Sequence, residues 1–381
     1  MKWGKVKVGD CCEVTSSKRI FFSEYVDSGV PFYRSKEIIE SSNGQAISEP
    51  LFISQEKYDE IKNHFGVPQS GDMLLTSVGT IGVPYIVREK DYFYFKDGNL
   101  TWFRNFSDEL DSKYLYFWVK SSEGQGVLNN TTIGSSQKAL TIASLKGLEI
   151  PCPPAPVQKR IVEFLAGYDD LIENNQKQIK LLEEAAQRLY KEWFVDLCFP
   201  GHENVKIVDG VPEGWENASV TDLLEIRYGK DHKGLADGCI PVYGSGGIMR
   251  KVDKILYSGE SVLIPRKGSL NNILLVSGDF WTIDTMFYSV PKRPNVAKYV
   301  YLYLTGIDMY AMNIGAAVPS MSVKILDGMR LLCPSDSILE LFETTAKPYY
   351  EMIELLKKKQ SMLGETRDRL LPKLMSGEIE V

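Results

Sequence analysis

Basic, amide and hydroxyl side chains stand beside glycines at several places in this chain. The candidates in the first half are Arg34, Lys36, Ser77, Thr80, Gln137 and Lys138. Those in the second half are Lys230, Lys233, Arg250, Lys251, Arg266, Lys267, Asn271 and Asn272. Arginine and lysine donate to O6 and N7 of guanine, asparagine and glutamine pair with adenine, and short hydroxyls reach a base or a phosphate. These residue types are therefore suited to reading double-stranded DNA, although each of them taken singly is also compatible with a solvated loop.

Motifs for catalysis are missing from the sequence. It contains no G-x-x-x-x-G-K-[ST] phosphate loop, no G-x-G-x-x-G, no H-E-x-x-H and no G-x-S-x-G. It also lacks the Asn-Pro-Pro-aromatic tetrapeptide of base methylation. We therefore predict that the chain is not an enzyme and holds no cofactor of its own. A nuclease or methyltransferase with an unrecognised site stays open as an alternative.

Metal-binding and membrane-spanning segments are not expected either. The three histidines lie far apart and none of the six cysteines forms a C-x-x-C pair, so we predict reduced structural cysteines and no metal site. No apolar run approaches the roughly 20 residues of a membrane span, and the first residues lack an apolar signal core. We expect a cytoplasmic protein without a membrane partner.

The net charge is unusual for a protein that binds nucleic acid. The formal net charge is −6, and none of the four segments defined below has more basic than acidic side chains. DNA-binding domains usually carry a basic footprint. Contacts to DNA must therefore come from local clusters or be shared with a partner.

An internal repeat organises the chain. The stretch from Gly134 to Pro153 aligns with that from Gly315 to Pro334 at a constant offset of 181 residues, and the match continues into the following segment. Earlier landmarks recur at shifting offsets; for example, Glu13 corresponds to Glu225. Each half contains short β-rich runs separated by glycine turns, together with shorter helical segments. We predict an α+β fold with two similar domains, residues 1–153 and 199–334, each followed by a helix, residues 154–198 and 335–381.

The two helices carry matching apolar patterns. Positions alternate in steps of four and three, which is the spacing of a coiled-coil seam. The predicted seam residues are Tyr168, Ile172, Asn175, Ile179, Leu182, Leu189 and Trp193 in the first helix, and Tyr349, Ile353, Leu356, Leu363, Leu370 and Leu374 in the second. A pseudo-twofold relation between the halves makes the pairing antiparallel. The alternative is that each helix packs only on its own domain.

Loops at equivalent places of the repeat differ in content. Thr76 and Ser77 of the first half correspond to Arg266 and Lys267 of the second half. A duplicated framework with divergent loops is what reading two different half-sites would require.

The whole chain resembles the specificity subunits of type I restriction–modification enzymes. The segments that carry the resemblance are Phe32–Ile38, Pro153-Pro154 with Gln158–Val162, Leu189–Phe199, Pro212–Trp215, Phe280–Thr285 and Arg367–Ile379. Two departures occur: Pro154–Val157 replaces the usual start of the first helix, and the second helix lacks the glutamine that the first has at Gln158.

The resemblance implies a function and a set of partners. Two target-recognition domains would sit at opposite ends of an antiparallel two-helix spacer, each reading one half of a bipartite DNA site. The helices would dock methyltransferase subunits, and restriction subunits would join the complex. S-adenosylmethionine, ATP and Mg would then belong to the partner subunits, and this chain would be non-catalytic. A scaffold with two protein-binding domains and no DNA is the other class that the sequence leaves open.

Overall fold

The chain forms two compact units. The computed structural model describes residues 3–44, 47, 49–134, 138–313, 315 and 318–380. The first unit comprises Met1–Gln176 and Lys357–Val381, and the second comprises Lys177–Leu356. Each unit contains one α+β domain and part of each of two long helices, so the boundary between units cuts both helices.

The domain of the first unit, called domain 1, combines short strands with six helices in its described part. Its strands are β1 (Lys5–Lys7), β2 (Glu13–Thr15), β3 (Tyr25–Val26), β4 (Val30–Tyr33), β5 (Leu51–Ile53), β6 (Met73–Thr76), β7 (Pro84–Ile86), β8 (Tyr94–Phe95), β9 (Leu100–Arg104) and β10 (Glu149–Pro151). Its helices are α1 (Val8–Cys11), α2 (Ser35–Ser42), α3 (Gln55–His64), α4 (Ser112–Lys120), α5 (Ser122–Thr131) and α6 (Ile142–Lys146).

Local chemistry explains where these helices begin. The side chain of Ser54 accepts a hydrogen bond from the backbone N–H of Lys57 at the start of α3, and Asp111 accepts from Lys113 and Tyr114 at the start of α4. Such caps satisfy N–H groups that have no partner inside the helix. Capping residues before apolar runs therefore determine the start of each helix.

Two four-stranded sheets form the frame of domain 1. One has the order β2-β9-β6-β7 and is antiparallel throughout. The other has the order β3-β5-β4-β8, in which β4 and β8 are parallel. Strand β6 is buried on both faces, as its apolar sequence predicts. A short pair, β1 and β10, closes the domain next to the long helices.

The long helix α7 (Ala155–Tyr190) follows domain 1 and ends in a π turn, Lys191–Val195. In this turn the N–H of Asp196 donates to the carbonyl of Lys191, five residues earlier. The wider turn leaves the neighbouring side chains of Trp193 and Phe194 both buried. The end of α7 is thereby anchored in the core of the second unit.

The domain of the second unit, called domain 2, repeats this plan. Its elements are β11 (Ile207–Val208), β12 (Val211–Pro212), β13 (Glu216–Ser219), α8 (Val220–Leu223), β14 (Leu224–Tyr228), β15 (Asp237–Gly244), β16 (Gly247–Val252), β17 (Tyr257–Ser258), β18 (Ser261–Pro265), β19 (Leu274–Val276), β20 (Asp279–Thr282), β21 (Met286–Pro291), α9 (Ala297–Thr305), α10 (Val323–Gly328) and β22 (Arg330–Cys333). The second long helix, α11 (Asp336–Ser376), follows.

The sheets of domain 2 match those of domain 1 strand for strand at their centres. The order β14-β21-β18-β19 corresponds to β2-β9-β6-β7, and the parallel pair β15-β20 corresponds to β4-β8. The domains differ after that parallel pair begins, because β4 leads into helix α2 whereas β15 turns back as the hairpin strand β16. The predicted α+β class and internal repeat are confirmed.

The long helices pair with each other in each unit. In the first unit, Arg367 of α11 forms an ion pair with Asp169 of α7, and Gln360 donates to the carbonyl of Ile172 at 3.2 Å. The position on α11 falls as the position on α7 rises, so the pairing is antiparallel. In the second unit, the rings of Phe342 and Trp193 lie 5.7 Å apart. These contacts exclude helices that pack only on their own domains.

Most of the predicted seam residues are inaccessible or partly accessible to solvent. The fully buried ones are Asn175, Trp193, Ile353, Leu356 and Leu374. The half-buried ones are Tyr168, Ile172, Ile179, Leu182, Leu189, Tyr349, Leu363 and Leu370. The two polar interruptions of the second pattern, Gln360 and Arg367, are the residues that bond across to α7 in the first unit.

A buried glutamine ties α7 to domain 1. The side chain of Gln158 is 0% exposed; its Oε1 accepts from the N–H of Asp111 at 2.9 Å, and its Nε2 donates to the carbonyls of Glu109 and Pro153, both at 2.8 Å. The equivalent position of α11 is Leu339, which is buried in an apolar cluster. The missing glutamine of the second helix therefore reflects apolar packing instead of a hydrogen-bonded anchor.

Substitution Gln158→Leu is expected to lower the free energy of unfolding by about 3 kcal/mol, because it leaves three buried backbone groups without partners. Chemical denaturation of the purified chain measures this. The matched control is Gln178→Leu on the exposed face of the same helix, where we expect a change below about 0.5 kcal/mol. Equal effects of the two substitutions would contradict the anchoring role.

Candidate nucleic-acid interface

The candidate loops of both domains share one backbone framework. In domain 1 the N–H of Ser77 donates to the carbonyl of Asn99 at 2.8 Å, and the carbonyl of Ser77 accepts from Leu140 at 2.9 Å. In domain 2, Arg266 makes the same two bonds, to the carbonyl of Thr285 at 2.8 Å and from Met321 at 2.9 Å. Ser77 and Arg266 therefore occupy equivalent positions.

A left-handed glycine follows each of these positions. Gly79 has a φ of 79° and Gly268 a φ of 87°, a region that other residues rarely adopt. Between the anchor and the glycine, Val78 forms a β-bridge with Ala139, and Lys267 forms one with Ser320. In each domain the loop after the central strand is thus bound to the segment before the short helix α6 or α10.

Arg266 is held by an aromatic ring and a single carbonyl. Its guanidinium lies 5.3 Å from the centre of the Tyr228 ring, and its Nη1 donates to the carbonyl of Asp284 at 3.1 Å. No carboxylate in the described part of the chain pairs with it. The neighbouring Lys267 is exposed. Together these residues place positive charge on the loop that follows β18.

The two asparagines of the same loop bind other parts of domain 2. Asn271 donates to the Asp308 carboxylate at 3.1 Å and accepts from the N–H of Met309 at 2.8 Å. Asn272 donates to the carbonyl of Ser245 at 2.8 Å. The sequence assigned both amides to bases, whereas in the structure they hold three loops together.

Four further cations lie around the hairpin of domain 2. Lys230, Lys233 and Lys251 are exposed. The carbonyl of Lys230 accepts from the indole of Trp281 at 2.9 Å, which fixes the backbone of that loop. Arg250 instead donates to Asp237 at 2.8 Å and to the carbonyl of Leu235 at 3.0 Å, so its charge is offset within the protein.

The cations of domain 1 have partners. Arg34 precedes α2 and its guanidinium is paired with the buried carboxylate of Glu37. Burial alone would raise the pKa of Glu37, but hydrogen bonds from Arg34 outweigh it and hold the pKa below its usual value. Lys36 pairs with Glu49 at 3.0 Å on the exposed surface. Arg34 is consequently committed to the fold, and Lys36 carries a counter-charge.

The remaining candidates of domain 1 have different surroundings. Ser77 is 2% exposed; its Oγ lies 2.7 Å from Oγ1 of Thr101 and donates to the carbonyl of Leu75. We therefore remove Ser77 from the set of candidate DNA contacts, because its hydroxyl is used inside the domain. Thr80 and Lys138 are exposed. Gln137 lies outside the described residues.

Sequence reasoning missed Tyr228, which supports the Arg266 guanidinium. The offset that relates Glu13 to Glu225 also relates Ser16 to Tyr228. The strand register agrees, because Tyr228 pairs with Phe287 on β21 as Glu225 pairs with Val290. A serine-to-tyrosine difference at an equivalent position was the available signal.

Other classes of site were searched over the same residues. No group of three or more histidine, cysteine, aspartate or glutamate side chains in the described ranges is arranged to hold a metal ion. None of the described helices combines the length and the apolar character that crossing a bilayer demands. Burial raises the pKa of the Cys12 thiol to about 12, so this thiol stays protonated at neutral pH.

Fold and loops define a duplicated recognition protein, and comparison with known proteins names its family. Residues 1–184 match the family described as type I restriction modification DNA specificity domain. The type I restriction enzyme MjaIX specificity subunit of Methanocaldococcus jannaschii is 26% identical over 420 residues, which span 100% of this chain and 94% of that protein. A putative specificity subunit, S.HindORF215P of Haemophilus influenzae, is 30% identical over 188 residues, which span 49% of this chain and 45% of that protein.

A solved structure agrees on the fold. The type I restriction–modification S subunit from M. genitalium superposes with a TM-score of 0.58 at 17% identity, covering 98% of this chain and 96% of that one. The chain belongs to the family of type I restriction enzyme specificity subunits.

Proposed function

We propose that the two domains read the two halves of a bipartite DNA site within a type I restriction–modification complex. One observation carries this proposal: both domains hold the loop after the central strand in the same hydrogen-bond frame, yet place different side chains on it. The fixed frame presents side chains reproducibly, and the different side chains allow two different half-sites to be read. Phosphate contacts would come from exposed cations such as Lys230, Lys233 and Lys267.

Apolar side chains on the long helices support docking of partner subunits. In the first unit, Phe164, Leu171 and Met362 are exposed on the helices. In the second unit, Leu181, Leu341, Met352 and Leu355 are exposed. Exposed apolar surface of this kind usually marks an interaction site. We infer that methyltransferase subunits, and through them restriction subunits, assemble on these helices.

The chemistry would then belong to the partners. The chain performs recognition alone, and S-adenosylmethionine, ATP and Mg are bound by the methyltransferase and restriction subunits. Its place of action is the cytoplasm, where the DNA lies. The acidic balance of the chain fits this division, because methyltransferase subunits that supply phosphate contacts leave the specificity subunit to supply discrimination.

Adenine methylation tests the proposal. The chain is co-expressed with its methyltransferase subunit in a host that lacks other adenine methylation, and the modified positions of the genome are sequenced. We expect one two-part motif when both subunits are present and none when either is missing. The purified chain incubated alone with S-adenosylmethionine and DNA should transfer no methyl group. Methylation by the chain alone, or a motif in one uninterrupted block, would overturn the proposal.

A further inference from the structure

Arg266 differs from the other arginines of domain 2 with described ion pairs. The paired ones are Arg227 with Glu225, Arg250 with Asp237, and Arg293 with Asp336 and Glu216. No carboxylate in the described ranges pairs with Arg266. A guanidinium carries five N–H donors in a plane, and only the bond from Nη1 to the Asp284 carbonyl is made within the protein. Donors therefore remain for a ligand.

The guanidinium is also held in place before any ligand arrives. The backbone of Arg266 is bonded on both sides, to Thr285 and to Met321. Its planar head lies over the ring of Tyr228, and that ring packs edge-on against Phe287 at 5.0 Å. An arginine whose plane is fixed by stacking loses little rotamer entropy when it binds. This is the arrangement of a preorganised recognition residue.

The equivalent place in domain 1 contains only small hydroxyl side chains. The strand registers relate Arg266 to Ser77, Phe287 to Thr101 and Tyr228 to Ser16. In domain 1 the hydroxyls of Ser77 and Thr101 lie 2.7 Å apart and bond to each other. The two domains thus differ here in kind: domain 2 presents a stacked arginine where domain 1 presents no cation.

We propose that Arg266 reads a guanine in the half-site bound by domain 2, with Tyr228 as its positioning residue. Guanine offers two adjacent acceptors, O6 and N7, to the two donors of one guanidinium edge, whereas adenine offers an N6 donor that would face an arginine donor. This inference rests on the proposed function, because it assumes that domain 2 contacts DNA bases. It adds the identity of one base and of the side chain that reads it.

The experiment uses the assembled complex of the specificity and methyltransferase subunits, with genome-wide sequencing of methylated adenines as the readout. Arg266→Ala should relax one guanine position of one half-site, lowering the preference for guanine by about 10- to 100-fold. The other half-site should not change and serves as the internal control for folding and assembly. Lys206→Ala, which removes an exposed charge elsewhere in domain 2, should leave both halves unchanged.

Two further variants separate reading of a base from attraction to a phosphate. Arg266→Lys keeps the charge but lacks the planar fork, so the guanine position should stay relaxed. Tyr228→Phe keeps the ring and should preserve the motif, whereas Tyr228→Ala should weaken the preference at the same position and at no other.

Several outcomes would overturn the inference. A wild-type motif without guanine in either half would do so, while leaving the two-part reading intact. Methylation that falls uniformly in Arg266→Ala with an unchanged motif, and recovers in Arg266→Lys, would make Arg266 a phosphate contact. Absence of any two-part motif in the wild type would instead contradict the proposed function.

Discussion

Substitution Lys298→Met is expected to destabilise the chain by about 3–5 kcal/mol, because it removes the only described cation from a buried pair of carboxylates. Lys298 lies on α9 and is 6% exposed. Its Nζ donates to Glu260 at 2.5 Å and to Glu343 of α11 at 2.6 Å. Its ammonium also lies 5.7 Å from the centre of the Tyr350 ring. The lysine therefore joins domain 2 to the long helix α11 within the second unit.

The pH dependence of this effect follows from the pKa of Lys298. Burial by itself would lower that pKa, but the hydrogen bonds to Glu260 and Glu343 outweigh burial and raise it. A raised lysine pKa contributes stability that is fully present below the unfolded value of about 10.4 and is lost as the pH rises further. The difference between wild type and Lys298→Met should consequently be constant near neutral pH and shrink above about pH 10.4.

Urea denaturation of the purified chain measures both effects. The matched control is Lys113→Met, because Lys113 occupies the equivalent position on α4 of domain 1 and is exposed there. We expect a change below about 0.5 kcal/mol for that variant. The triple variant Lys298→Met, Glu260→Gln, Glu343→Gln should recover part of the loss, since no buried carboxylate is left without its cation. Equal losses in the two lysine variants would contradict the role of the cluster.

Periodic patterns predicted the architecture because they depend on local chemistry. The spacing of apolar residues predicted both long helices, and the offset of 181 residues aligned segments that fold alike. Even the polar interruptions at Gln360 and Arg367 have a physical reason, since each bonds across to α7. The register of the repeat could also be extended from Glu13 and Glu225 to Ser16 and Tyr228.

Polar loop residues were harder to interpret from sequence. Arg34, Arg250 and Asn271 were candidates by residue type, but each finds a partner inside its own domain. Whether a polar side chain faces solvent or a distant neighbour depends on contacts between residues far apart in sequence, as between Asn271 and Asp308. Sequence could therefore predict the loops of the candidate site, but not which of their side chains remain available.

The hairpin of domain 2 illustrates a second limit. Tyr33 and Tyr243 are equivalent and each accepts a backbone hydrogen bond from the strand segment beside it, from Lys96 and from Ile283. The chain then continues as helix α2 in domain 1 and as strand β16 in domain 2. The glycines at 244, 246 and 247 disfavour a helix and permit the tight turn, with a φ of 110° at Gly247. The repeat therefore predicts a shared frame but not a shared surface.

The pairing of the long helices in the second unit predicts another large effect. Phe342 of α11 is 0% exposed, and its ring lies 4.8 Å from the ring of Phe194 and 5.7 Å from that of Trp193. Substitution Phe342→Ala removes a large side chain from this aromatic cluster and leaves a cavity. We expect the free energy of unfolding to fall by about 3–5 kcal/mol. Urea denaturation and hydrogen exchange of residues 177–356 measure the loss.

The neighbouring residue supplies the control for this prediction. Leu341 precedes Phe342 on the same helix but is 41% exposed, so Leu341→Ala removes a similar apolar side chain without a buried cavity. Its effect should stay below about 1 kcal/mol. If instead Leu341→Ala weakened binding of the methyltransferase subunit while leaving stability intact, the exposed face would act in docking and the buried face in pairing. Comparable stability losses for the two variants would show that α11 does not depend on the Phe342 cluster for its position, and the pairing of the helices would then need another explanation.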